Sequence, residues 1–232
     1  MTGKHEIESL RKIQLFSSLS DEELLLASDK LIVKRFRKNE IILQEEDTSE
    51  YMYIILDGKV KVVQTTEDGK EILLAIHQSG DSFGEMSLID GKTSPATVIA
   101  TENSVAAIIS RKDFYALLES QKKVLSNLLL ILCSRYRESW EKIQMLNHKN
   151  AAHRVKILFL MLSEKYGEKT SEGTTLNIKL THQEIAEMTG MTRETVTRVL
   201  DKWQRDKEIN VLKNKFIHLS ANFLTEGLKP IY

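Results

Sequence analysis

A single cysteine, Cys133, occurs in 232 residues. That excludes an internal disulfide framework and any cysteine-ligated iron–sulfur or zinc centre built within one chain. Long apolar runs are also missing: Leu128 to Cys133, which no other run exceeds, is far too short to cross a bilayer. Residues Met1 to Lys12 are polar and lack the apolar core of a secretory signal. Together these absences point to the cytoplasm and to no membrane partner. No zinc-protease helix, phosphate-binding loop or Gly-x-Ser-x-Gly elbow is present, so catalysis is not expected.

Net charge is absent as well, 33 basic side chains balancing 33 acidic ones, which argues at first against a polyanionic partner. The balance hides an asymmetry. Residues 1–150 carry 20 basic and 23 acidic groups, a net −3, whereas residues 151–232 carry 13 and 10, a net +3. A mild basic excess confined to one end fits a nucleic-acid module joined to a neutral domain. With 41% apolar and 28% charged residues the chain has an ordinary globular composition, long enough for two modest cores.

What is present changes texture along the chain. Helical patterns occupy Glu6–Leu15 and the stretch from Ser20, where Ser20 and Glu23 form a capping box. From Leu31 to Ile109 short branched segments follow: Ile41–Leu43, Tyr51–Leu56, Val60–Val63, Ile72–Ile76, Thr97–Ala100 and Val105–Ile109. Asp57-Gly58, Asp68-Gly69, Ser79-Gly80-Asp81 and Asp90-Gly91 punctuate them as turns, so the spacing predicts an antiparallel barrel or sandwich. From Arg111 to about His148 the pattern is helical. Leu125, Leu129, Leu132, Tyr136, Ser139, Ile143, Leu146 and Asn150 step by four and three, a narrow seam flanked by charges. The seam either lies on the chain's own barrel or forms a parallel homodimeric coiled coil, and its narrowness favours the second. Beyond it, Ala151–Tyr166 reads as helix, Leu176–Leu180 as a short strand, and Asn210–Leu212 with Phe216–His218 as a hairpin around Lys213-Asn214-Lys215.

Residues 181–200 are the most informative. Thr181 caps a helix with Glu184 at the capping-box position, and Gly190 supplies the sharp turn. Thr192 then caps a second helix whose buried face is Val196, Val199 and Leu200. Arg193, Glu194, Thr197 and Arg198 share its exposed side. This is a helix-turn-helix, whose second helix enters the major groove by its N-terminal end. Arginine reads guanine O6 and N7, and glutamate accepts from cytosine N4.

Gln183-Glu184-Ile185-Ala186, Gly190 and Arg193-Glu194-Thr195-Val196-Thr197-Arg198 closely resemble the helix-turn-helix of the CRP/FNR regulators, nearer the cyclic-AMP receptor branch than the oxygen-sensing one. The resemblance extends over almost the whole chain, through Leu15-Phe16-…-Leu19, the barrel glycines and Gly84-Glu85. It implies an α+β architecture with an N-terminal antiparallel β-barrel (jelly-roll, cyclic-nucleotide-binding-like) over 1–110, a long dimerisation helix and hinge over 111–150, and a C-terminal winged helix-turn-helix over 151–232. It further implies that Arg193, Glu194 and Arg198 read a TGTGA-like half-site. Thr181, Gln183, Thr192 and Thr195 match phosphate-holding positions. His182 stands where relatives often carry Arg. The implied partners are double-stranded DNA, a second copy of the chain and RNA polymerase.

Ser82-Phe83-Gly84-Glu85-Met86-Ser87-Leu88 resembles the phosphate-binding cassette of cyclic-nucleotide domains, in which Gly84 admits backbone donors and Glu85 accepts from a ribose hydroxyl. Taken without the resemblance, the Gly-Glu pair reads equally well as a plain turn with a solvated carboxylate. The cassette then departs from the family. Ser94 occupies the place of the phosphate-binding Arg and Pro95 that of a hydroxyl residue. Losing a charge-assisted hydrogen bond costs about 1.5–3 kcal/mol, which argues against cyclic AMP and leaves another nucleotide, another small molecule or no effector. Ser139 and Trp140 match positions that hold the base; Trp140 either stacks on a ligand, fills its place or packs the dimer. Asn39 and Glu46 stand where relatives often place Gly, a change expected to alter turns. His77 reads as a structural histidine, not a haem ligand, and the helix break at Asn150-Ala151 separates His148 from His153. A ligand-regulated protein-interaction module with vestigial DNA binding is the other functional class, opposed by the intact Arg193/Glu194/Arg198 set.

Overall fold

The computed structural model describes residues 8, 10–67, 69, 71–212 and 215–225. It divides into two compact units, Met1–Arg135 and Tyr136–Tyr232. The Asp68 half of one anticipated turn, the Lys213-Asn214 tip of the C-terminal hairpin, and Glu6, Ile7 and Ser9 of the first helical pattern lie outside the described residues.

The first unit opens with a 3-10 turn, Gln14–Phe16, and α1, Asp21–Ser28. The Ser20–Glu23 capping box is formed in both directions. Eight strands follow: β1 Ile32–Phe36, β2 Ile41–Leu43, β3 Tyr51–Asp57, β4 Lys59–Thr65, β5 Glu71–Gln78, β6 Ser82–Phe83, β7 Thr97–Ala100 and β8 Ser104–Ser110. Between β6 and β7 lies a short helix, α2, Glu85–Asp90. All ladders are antiparallel, in two four-stranded sheets ordered β1-β8-β3-β6 and β2-β7-β4-β5. Leu43, Val60 and Val98 from one sheet meet Ile55 and Phe83 from the other, so the expected barrel takes the form of two opposed sheets that stay open.

Burial of β3 on both faces shows how the layers stack. Tyr53 and Ile55 face the opposite sheet. Met52 and Ile54 face a helical layer built from Leu15, Phe16, Leu24, α3 (Arg111–Ser120) and the first half of α4 (Lys122–Asn147). The helical stretch after Arg111 is thus two helices broken at Gln121, not one. Asp90-Gly91 closes α2 rather than a hairpin: Gly91 is its left-handed C-cap, φ 71°. Asn39 and Glu46 keep the left-handed backbone that glycine favours, φ 66° and 67°. Holding that conformation without glycine costs roughly 1–2 kcal/mol per residue. Each backbone N–H there is satisfied, by Ala100 O at 2.7 Å and Ser94 O at 2.9 Å.

On α4, Val124, Leu128 and Ile131 are buried in the first unit's core. Most of the interleaved seam stays uncovered: Leu125, Leu129, Tyr136, Ile143 and Leu146 are 40–61% exposed, while Leu132 packs against the first unit's core.

The second unit contains α5 Ala151–Tyr166, β9 Gly167–Thr170, β10 Gly173–Leu176, α6 His182–Thr189, α7 Arg193–Arg205, β11 Ile209–Val211, β12 Ile217–Ser220 and α8 Ala221–Thr225. Its sheet is ordered β11-β12-β10-β9, the wing of the expected winged fold. The strand anticipated at Leu176–Leu180 is displaced, because β10 ends at Leu176 and pairs back with β9. Phe159, Trp203 and Phe223 close the core, with ring centroids 5.0–6.3 Å apart. Phe159→Ala is expected to destabilise this unit by about 3–5 kcal/mol, read from the urea dependence of Trp203 fluorescence.

Candidate nucleic-acid interface and effector pocket

Two capped helices and one glycine turn form the core of the helix-turn-helix: Thr181 Oγ1 accepts from Glu184 N at 3.1 Å while Glu184 Oε2 accepts from Thr181 N at 2.7 Å. Gly190 ends α6 at φ 63° and ψ 39°, the left-handed region that costs glycine little. Thr192 Oγ1 then accepts from Thr195 N at 3.3 Å and starts α7. Val196 and Leu200 are buried, and Val199 is half-buried.

This geometry leaves Arg193, Glu194 and Arg198 exposed near the start of α7, none with a hydrogen-bond or ion-pair partner among the described residues. Thr181, Gln183 and Thr192 are exposed around them and Thr195 is half-buried. Gln183 Nε2 donates to Glu187 at 2.8 Å, and the Thr192 and Thr195 hydroxyls are 3.0 Å apart. Thr197 does not join the exposed set as expected. It is half-buried, its hydroxyl 2.8 Å from His182 Nδ1, a bond that ties the first helix to the second.

In the first unit, Gly84 begins α2 at φ 86°. A Cβ there would lie 2.9 Å from Tyr51 O and 3.2 Å from the Tyr53 ring, so only glycine lets α2 start directly on β3. The result is a buried Glu85, 3% exposed. Its Oε1 accepts from the Arg135 guanidinium of α4 at 2.5 Å, and Arg135 also donates to the Ser82 carbonyl. Glu85 Oε2 and the Ser87 hydroxyl are buried with no partner. The other end of α2 is held by Arg111, which donates to the Leu88 and Ser87 carbonyls at 2.9 and 3.0 Å, and by Tyr115. Behind it Tyr53 stacks on Phe83 at 4.9 Å. Burial raises the Tyr53 phenol above its ordinary range, against the lowering hydrogen bond of Ser49.

Ser94 is buried, and its hydroxyl is spent on the Ala96 carbonyl at 2.8 Å. It contributes no positive charge. Ser139 and Trp140 belong to the second unit, both exposed on α4, and Trp140 packs on the Tyr136 ring at 4.7 Å. The structure therefore groups Gly84 and Glu85 with Arg135 and Arg111, two residues sequence reasoning missed. Arg135 had a signal: it continues the buried stripe Val124, Leu128, Ile131 by one further step of four. Arg111 had none.

Residues 33–121 match the model of the cyclic nucleotide-binding domain, and residues 153–225 that of the Crp-like helix-turn-helix domain. The cyclic AMP receptor protein of Thermus thermophilus is 31% identical over 186 residues, covering 80% of this chain and 83% of its own. The chain belongs to the CRP/FNR family of transcription regulators. The global nitrogen regulator of a Nostoc species is also 31% identical over 186 residues, covering 79% of this chain and 83% of the relative. The crystal structure of the Thermus thermophilus catabolite activator protein superposes with a TM-score of 0.55 at 28% identity, over 91% of this chain and 95% of that one.

As a CRP/FNR regulator, and not an enzyme, the chain joins an effector-type domain to a DNA-binding helix-turn-helix. The cassette of its effector domain depends on the Glu85–Arg135 pair, whose carboxylate side chain is 4% exposed. Arg135→Met is expected to cost on the order of 3 kcal/mol by stranding a buried carboxylate. Adding Glu85→Gln should recover part of that loss, with unfolding followed by circular dichroism in urea.

Proposed function

We propose that the protein is a dimeric, sequence-specific regulator that reads a palindromic TGTGA-like site in double-stranded DNA, in the cytoplasm, acting on RNA polymerase. The observation that carries this is the uncommitted set Arg193, Glu194 and Arg198 on the leading end of a helix capped by Thr192. Two guanine readers and one cytosine reader share that end. Thr181, Gln183, Thr192 and Thr195 surround it with neutral phosphate donors. The uncovered seam of α4 supports the dimer, because an apolar stripe of that length on a monomer would stay in contact with water.

The effector we propose is not cyclic AMP. Glu85 Oε2 is a buried acceptor that a ligand hydroxyl would satisfy, which supports a pocket at Gly84 and Glu85. Ser94, by contrast, gives a cyclic phosphate no cation, and its hydroxyl is already bonded within its own loop. The missing charge corresponds to roughly ten- to 150-fold in affinity. Equal identity to a cyclic AMP receptor and to a nitrogen regulator leaves the effector open. Binding DNA with no effector at all is the second reading, favoured by the self-satisfied Ser94 loop.

Fluorescence anisotropy on a TGTGA palindrome, alone and with cyclic AMP, cyclic GMP or cyclic di-GMP, separates these readings. Tight binding without addition supports the effector-independent reading, and tightening by cyclic AMP at low micromolar concentration would defeat the pocket argument. Arg198→Ala should cost about 1–3 kcal/mol and relax preference at one base pair. A uniform loss over all sequences would instead assign Arg198 to phosphate alone. Affinity should fall steeply between low and moderate salt, as counterion release requires.

A further inference from the structure

The second unit contains one arginine that touches two helix ends at once. Arg154 sits in the first turn of α5, half-buried. Its Nε donates to the His148 carbonyl at 2.7 Å, one residue beyond the end of α4, and its Nη1 donates to the Thr189 carbonyl at 3.3 Å, the last residue of α6. Helix C-termini present unsatisfied carbonyls and partial negative charge, so a cation between two of them is favourable at both. The anchor of Arg154 is itself fixed: Asn150 caps α5 by accepting from His153 N at 3.2 Å, and Arg154 N donates to Asn150 O at 3.1 Å. The Gly190 turn closes over the same place. A Cβ there would meet Leu146 Cδ2 at 3.4 Å and Arg154 Nη1 at 3.9 Å. The end of the seam helix and the turn of the helix-turn-helix are thus joined through one guanidinium and one leucine.

We propose that Arg154 is a positioning residue for DNA recognition: by tying the end of α4 to the turn between α6 and α7, it sets the separation at which two reading helices are presented. The proposal rests on the dimeric reading above. Two reading helices must meet successive major grooves roughly 34–36 Å apart. A tether between the seam helix and the reading helix therefore governs spacing, while the side chains of α7 govern base preference. A lysine cannot replace it, since a point charge on a flexible stem does not span two carbonyls as a planar fork does.

The test uses the full chain and a set of palindromes whose half-sites are moved together or apart by one and two base pairs, with affinity read by anisotropy. Wild type should prefer one spacing. Arg154→Met and Arg154→Lys should flatten that preference by roughly three- to tenfold, with base preference inside each half-site unchanged. Trp203 fluorescence in urea establishes that each variant is folded at the assay temperature, and Arg154→Lys, which keeps the charge, serves if Arg154→Met is not. Unchanged spacing preference in a folded variant overturns the proposal, as does an equal loss at every spacing, which marks a purely structural residue. If wild type binds a lone half-site as well as any palindrome, the dimeric reading fails first and this inference with it.

Discussion

A 26-residue helix with apolar side chains on two faces cannot satisfy both within one chain. One stripe of α4, through Val124, Leu128 and Ile131, completes the core of the first unit and ends at Arg135, whose guanidinium holds the buried Glu85. The other stripe remains in water. The buried Glu85 depends on the first stripe being seated, because a carboxylate that buried needs a cation delivered to it. The proposed assembly depends on the second.

Much of this was legible in residues alone, and the reasons differ by element. Capping boxes at Ser20 and Thr181 and the turn at Gly190 are local chemistry, complete within four or five residues, and they formed as read. The central strands of the sandwich announced themselves through branched residues between glycine turns. β1 did not: at the sheet edge, with Ile32 through Arg35 exposed, it has neither alternation nor a buried run. β9 and β10 are short and polar, whereas Leu176, Ile178 and Leu180 alternate convincingly. That alternation is real burial, Ile178 being 2% exposed, but β10 ends at Leu176 and residues 177–180 are not in a strand.

Site residues divided along the same line. The exposure of Arg193, Glu194 and Arg198 is set by position on one helix, which a sequence displays. Arg135, Arg111 and Arg154 act on carbonyls and carboxylates distant in the chain, Arg135 lying 50 residues from Glu85 and Arg154 lying 35 from Thr189. Such partners are created by tertiary structure. The error at Thr197 has this origin too: its helical face was assigned correctly enough, but the first helix brings His182 against it.

That bond has a consequence for how such a protein changes its targets. Residue 197 lies beside Arg198 and one turn from Arg193 and Glu194, the exposed set proposed to read bases. Yet its hydroxyl and the His182 ring are mutually committed, so a substitution at either position leaves the other without its hydrogen-bond partner. Retargeting through this corner of the surface is a two-step path whose first step loses a helix-to-helix tie before any new base is recognised.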